Sequence, residues 1–196
     1  MWIDEETLGY VDYVEKVKCV NVGTNRNLRP KEYSRILACH AQQLIFNAYS
    51  APKRFYYPVV LPSRESLILG DAYWLTVYQL ITSDVQHLEI RYSNLTEANL
   101  NQFLRHWLGG GRFGMKLLIV KMRNLDWNGV YRGLMTSILP RDRTFYYEGP
   151  LKTIHKLRFV RYYFRRQDGC IATVSEGDMN VFQFAVWPDA NNQMIF

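Results

Sequence analysis

Short apolar runs recur along the chain, centred on Val20, Leu44, Ile68, Leu88, Leu117 and Phe145. Their intervals match the roughly 20 to 29 residues of leucine-rich-repeat-like arrays, enough for one strand, one helix and two turns. In the clearest unit His87 to Ile90 reads as a strand, Ser93 to Thr96 as a turn and Glu97 to Leu108 as a helix. Leu100, Phe103, Leu104, Trp107 and Leu108 share one helical face, with Asn101, Gln102, Arg105 and His106 on the other. Thr96 is placed to cap the helix and Glu97 to complement its dipole. Gly109, Gly110 and Gly111 end it, and Met115 to Lys121 returns as a strand.

The same grammar predicts a strand at Val17 to Val22, a helix at Pro30 to His40 and a strand at Gln43 to Asn47. Tyr33, Ile36, Leu37 and His40 form the apolar stripe of that helix. Ser66 to Leu69 followed by Ala72 to Thr82 repeats the pattern, with Trp74, Val77, Tyr78 and Ile81 as its stripe. Between Ala51 and Pro62 the prolines Pro52, Pro58 and Pro62 forbid a regular helix, so this crossover is expected to be extended. Asp126 to Leu134 reads as a short helix, and Thr144 to Tyr147 as the last strand of the series.

From Arg158 the period becomes alternating. Arg158 to Arg166, Cys170 to Ser175 and Asn180 to Trp187 are β-rich runs divided by Gln167-Asp168-Gly169 and by Ser175 to Asp178, both turn-forming. The expected fold is therefore α/β: an irregular leucine-rich-repeat-like array of parallel strands and helices over 1–150, then an antiparallel β-meander over 151–196. The meander is expected to pack on the end of the array and cover its sheet edge.

With 48% hydrophobic and 21% charged residues the chain has the composition of a packed globule. Cys19, Cys39 and Cys170 are odd in number and far apart, which indicates neither a disulfide framework nor a zinc site. An intracellular location, cytoplasmic or nuclear, fits reduced thiols. No run of about 18 apolar residues is present and Met1 to Glu6 is acidic, so no membrane span or signal peptide is expected.

Charge changes the picture more. The net charge of +6 arises in one strip, where Lys152, Lys156, Arg158, Arg161, Arg165 and Arg166 occur with no acidic residue, leaving 18 basic and 18 acidic residues elsewhere. These cations are interleaved with Phe159, Tyr162, Tyr163 and Phe164, and simple alternation puts rings and charges on both faces of a strand. Two readings follow: a face for an acidic protein, or a single-stranded nucleic-acid surface in which phosphates meet the cations and bases stack on the rings.

Other candidate chemistry is weak. Gly109 to Lys116 resembles a phosphate loop in composition, but its order is helix, glycines, strand, whereas a phosphate cradle opens a helix. His40, His87, His106 and His155 are dispersed, and Cys39 beside His40 on a helix points elsewhere. No enzyme activity, cofactor or metal is expected.

Two stretches carry a family resemblance. Ser93-Asn94-Leu95-Thr96, Leu100-Asn101, Phe103-Leu104, His106-Trp107-Leu108 and Gly110 form the first, and Arg165 to Val174 with Phe182 to Trp187 the second. Together, over Val59 to Trp187, they resemble the type 2 F-box-associated domain of nematode F-box protein families. The resemblance implies a module that captures targets for a ubiquitin ligase, the F-box itself recruiting the ligase adaptor. Met1 to Tyr10 leads almost directly into the first strand with no F-box-length module before it. The chain is thus expected to be a fragment or shortened product, or to bind targets without contacting the adaptor directly. The expected function is non-enzymatic protein binding, by the concave sheet face or by the strip of Lys152, Lys156, Arg158, Arg161, Arg165 and Arg166.

Overall fold

The computed structural model describes residues 2–3, 18–24, 27–48, 50–111, 114–149, 152–176 and 180–187. Val17, Arg112, Phe113 and the turn at 177–178 lie outside the described residues. Among the described residues ten strands form one mixed sheet. In chain order the elements are β1 (Trp2–Ile3), β2 (Cys19–Thr24), α1 (Pro30–Leu37), β3 (Gln43–Ala48), β4 (Arg64–Leu69), α2 (Val77–Thr82) and β5 (Val85–Ile90). They continue with α3 (Glu97–Leu108), β6 (Leu117–Lys121), α4 (Trp127–Tyr131), β7 (Ser137–Glu148), β8 (Ile154–Arg165), β9 (Ile171–Ser175) and β10 (Val181–Trp187).

Strands β1 to β6 lie side by side in chain order and pair in parallel. The register aligns Val20 with Leu44, Leu44 with Leu67, Leu67 with Leu88 and Leu88 with Leu118. Two members of the expected series, Ile68 and Leu117, are therefore one residue out of phase. One residue in a strand reverses the face, and Leu117 accordingly packs in a different core from Leu118. Phe145 is a larger correction. It sits on β7, at the far end of the order β6-β10-β9-β8-β7, antiparallel to β8. The boundary expected at 150/151 falls between β7 and β8, which pair with each other.

Helix α3 follows its sequence closely: Leu100, Phe103, Leu104 and Trp107 are buried. Burial of each such side chain contributes roughly 1.5–3 kcal/mol. Thr96 caps it, its Oγ1 accepting from the Asn99 amide (3.4 Å) while Asn99 Oδ1 accepts from the Thr96 amide (3.0 Å). Gly110 adopts φ +80°, the left-handed conformation that stops the helix. Helix α2 departs from expectation. It starts at Val77, capped by Thr76, so Gln79 and Leu80 face inward and Tyr78 outward. The predicted Trp74, Val77, Tyr78 and Ile81 stripe assumed that the helix began at Ala72.

The proline-broken crossover has no helix, as expected. Rings replace it: Tyr33 contacts Phe46 and Phe55 (centroids 4.6 Å each), and Trp74 contacts Phe55 (5.6 Å) and Tyr57 (5.8 Å). Tyr33 Oη donates to the Asp71 carbonyl (2.6 Å) and accepts from Trp74 Nε1 (3.1 Å), satisfying both buried polar tips. Arg64, buried at the end of the crossover, donates to the carbonyls of Leu37 (2.9 Å) and Cys39 (3.1 Å), binding the C-terminus of α1.

The meander covers the edge of β6 by extending the sheet. Its last strand, β10, pairs antiparallel with β6, and β9, β8 and β7 follow outward. Packing explains the inversion. Phe184 lies against Phe103 (5.1 Å) and Trp107 (5.4 Å) and Phe182 against Trp127 (6.4 Å), so β10 carries the rings that fill the space under α3 and α4. On the opposite face a second core joins Leu117, Ala185 and Trp187 to Phe145, Tyr147, Leu157 and Val160. Trp187 meets Phe145 (5.7 Å) and Tyr147 (5.4 Å), although β9 and β8 lie between their strands in the sheet. The β7–β8 hairpin therefore curls back over that face. Among the described residues no helix is long and apolar enough to cross a membrane.

Candidate functional site

Lys156, Arg158, Arg161 and Arg165 lie on β8, with Lys152 just before it and Arg166 just after, and bulges decide where the side chains of the strand point. Arg143 pairs with Val160 but Phe145 with Leu157, which leaves one extra residue on β8. Phe159 is that kind of residue: φ +50° and 57% exposed, between buried Leu157 and Val160. A second extra residue sits at Arg161, because Val160 pairs with Ser175 while Tyr162 pairs with Val174. These two bulges resolve the mixed faces that simple alternation gave. Lys152, Lys156, Arg158, Arg161 and Arg165 are all exposed, whereas Leu157, Val160 and Phe164 are buried.

Arg166 differs from the other five. Its guanidinium pairs with the Asp168 carboxylate and lies over the Trp107 ring at 5.2 Å. Asp168 also accepts from the Cys170 amide (3.0 Å), and Gly169 turns the chain at φ +86°. The hydrogen bond to Asp168 raises the Arg166 pKa and lowers that of Asp168. Arg166 thus holds the β8–β9 turn on α3.

The interleaved rings are mostly engaged elsewhere. Tyr162 meets Tyr131 edge-on (5.0 Å), Phe164 lies 6.2 Å from the same ring, and Tyr163 packs on the second core. Phe159 remains exposed, and Tyr146 of β7, also exposed, carries the Lys156 ammonium 5.8 Å from its ring.

On the other expected docking surface, the sheet face opposite the helices, Gln43, Ser66, Ile68 and His87 are buried, whereas Ile45 and Asn47 of β3 and Glu89 of β5 are partly exposed. The fold also joins two residues that looked dispersed in the sequence. His87 of β5 and His155 of β8 stand ring to ring at 5.0 Å. Burial, and secondarily His155, push the His87 pKa down to about 3, and burial lowers that of His155. Among the described residues neither ring nitrogen of His87 nor Ser66 Oγ has a hydrogen-bond partner. No local sequence signal could have found this pair, because it depends on the curl of the hairpin.

The remaining polar candidates have structural partners. Asn101 Nδ2 donates to the carbonyls of Val130 (2.7 Å) and Arg132 (3.0 Å), and Arg105 Nη2 to that of Arg132 (2.7 Å). The polar face of α3 therefore grips α4. A surface cleft of about 380 Å³ beside it contains Glu97 and Asp126. Glu97 accepts from the Asp126 amide (3.2 Å) and Asp126 from the Asn128 amide (3.0 Å). Cys39 is buried and His40 exposed, so they diverge. Among the described residues no group of three or more His, Cys, Asp or Glu could hold a metal ion.

No curated protein and no solved structure matches the chain. The second stretch of the resemblance, 165–187, lies outside the segment that the family model matches. That segment, residues 59–120, runs from the end of the proline-broken crossover through α2, β5 and α3 into β6, and it matches the family described as F-box associated.

Proposed function

We propose that the chain is a non-enzymatic protein-binding module of the F-box-associated kind, which holds an acidic target through the cations of β8 as a substrate-recognition element for a ubiquitin ligase. The observation that carries this reading is the pair of bulges at Phe159 and Arg161, with Lys156, Arg158, Arg161 and Arg165 exposed on a strand whose Leu157, Val160 and Phe164 are buried. The family match supports protein partners in general. Parallel strands in chain order, with the helices on one face, support a leucine-rich-repeat-like scaffold beneath that surface. Three free thiols fit an intracellular, cytoplasmic or nuclear, setting.

The nucleic-acid reading has less support, because Tyr162, Tyr163 and Phe164 pack inward and Phe159 is the exposed ring on β8. Affinity capture from nuclease-treated extract, at low and high salt, tests the proposal. Proteins retained by the native chain are expected to be lost when Lys152, Lys156, Arg158 and Arg165 are changed to Glu. Unchanged retention overturns the proposal. Tight binding of a labelled oligonucleotide with steep salt dependence would favour the nucleic-acid reading instead.

A further inference from the structure

We infer that the outer face of the β7–β8 hairpin is a docking surface for an amphipathic segment of an acidic protein. Its apolar side chains seat on Tyr146, Ile154 and Phe159 while its carboxylates meet Lys156 and Arg158. This deepens the proposed function and rests on the reading that the partner is an acidic protein. It adds the source of the binding energy, which is burial of apolar surface, with the cations selecting what is buried.

The register defines the face. Phe145 to Glu148 pair residue for residue with Leu157 to Ile154, so their side chains alternate between the two sides of the hairpin. Phe145, Tyr147 and Leu157 enter the second core, which leaves Tyr146, Ile154 and Lys156 on the side away from it. Lys156 stands directly opposite Tyr146, its ammonium 5.8 Å from the ring. At the bulge, Arg158 and Phe159 together oppose exposed Thr144, and both lie between Leu157 and Val160 of the second core. The extra residue thus puts a ring and a cation on the outer side. Tyr146 and Ile154 are 61% exposed and Phe159 57%. Apolar side chains exposed singly are ordinary, whereas three on one face of a hairpin, edged by cations, mark an interaction surface.

Charge selects the occupant. Glu148 shares the face, but it is half-buried and already engaged, so the exposed charges are those of Lys156 and Arg158. Two copies docked through this face about a twofold axis would set these cations against their own counterparts, which like charges disfavour. Carboxylates flanking an apolar stripe complement the face instead. At such contacts the energy concentrates in buried aromatic and aliphatic anchors, while exposed charges steer and discriminate.

The probes are two labelled synthetic peptides of equal charge, one rich in glutamate with leucines at helical spacing along one face, the other with every leucine replaced by serine. The native chain is expected to bind the leucine peptide about tenfold or more tightly than the serine peptide. Phe159→Asn with Ile154→Thr should remove that preference. This variant leaves every charge in place, and asparagine tolerates the φ of +50° at position 159. Equal binding of the two peptides by the native chain, or a preference that survives in the variant, overturns the inference. If Lys156→Glu with Arg158→Glu still abolishes binding in that case, the acidic-partner reading stands without it. Binding of the leucine peptide that ignores this charge reversal overturns both. Phosphatidylserine vesicles bound in place of either peptide, and released by Phe159→Asn with Ile154→Thr, overturn the inference in favour of a lipid surface. If none of the three probes binds, the inference is overturned and the wider reading is judged by capture from extract.

Discussion

His87 of β5 and His155 of β8 stand ring to ring at 5.0 Å, nearly perpendicular, although β6, β10 and β9 separate their strands in the sheet. Four strand spacings span about 19 Å in a flat sheet, so the contact measures how far the β7–β8 hairpin curls. It also makes the curl sensitive to pH. His87 is buried and neutral, with a pKa held down to about 3, whereas the unfolded chain protonates it near 6.5. Stability from this group is complete above about pH 6.5 and is lost as pH falls toward 3. Urea titrations between pH 7.5 and 4 should show a slope of up to about 1.4 kcal/mol per pH unit from His87 alone, with a further contribution of the same sign from His155. His87→Leu should flatten the curve by close to one proton and cost little at neutral pH, because the ring nitrogens it removes have no hydrogen-bond partner among the described residues. An unchanged slope contradicts the burial.

Trp187 is the post on which the hairpin rests. It contacts Phe145 and Tyr147, and its Nε1 donates to Thr173 Oγ1 (2.9 Å). Trp187→Ala should destabilise the fold by about 3–5 kcal/mol in equilibrium unfolding. Trp187→Phe keeps a ring in the cluster but strands the Thr173 hydroxyl, and should cost about 1–3 kcal/mol. Equal losses for the two would mean that the ring contacts contribute nothing.

Asn101 shows how a polar residue of the family segment can be structural. Its amide nitrogen meets two carbonyls at the end of α4, and its Oδ1 accepts from Arg105 Nε (2.8 Å). Asn101→Ala should cost about 1–3 kcal/mol. Because Arg105 donates to the same Arg132 carbonyl, the double variant with Arg105→Ala should lose less than the sum of the single losses, which a double-mutant cycle measures. Full additivity would separate the two residues.

Local signals told most about α3. Its stripe, its threonine cap and its terminating glycines all lie within one short window, and each acts at short range. α2 is harder to place, because a run of apolar residues starting at Ala72 looks helical while the Thr76 cap sets the true start. Ile68 and Leu117 failed in phase, since an apolar run cannot say which neighbour faces which core when both faces are buried. Phe145 fits the spacing of the array, while its actual position depends on the rings of β10 that take the place beside β6. At the candidate site the six basic residues were visible as a composition bias. The bulges that sort them from the rings, the pairing of Arg166 with Asp168, and the meeting of His87 with His155 all depend on partners distant in sequence.

The central claim is that the outward cations of β8 hold the partner, and a matched pair of charge reversals tests it most directly. Lys156→Glu with Arg158→Glu alters the strip, while Lys31→Glu with Lys53→Glu makes the same change in net charge at exposed positions elsewhere. Affinity for a captured protein partner should fall by about tenfold or more for the strip variant and stay close to native for the control. Equal affinities across all three forms, with unfolding curves showing each variant folded, would contradict the account.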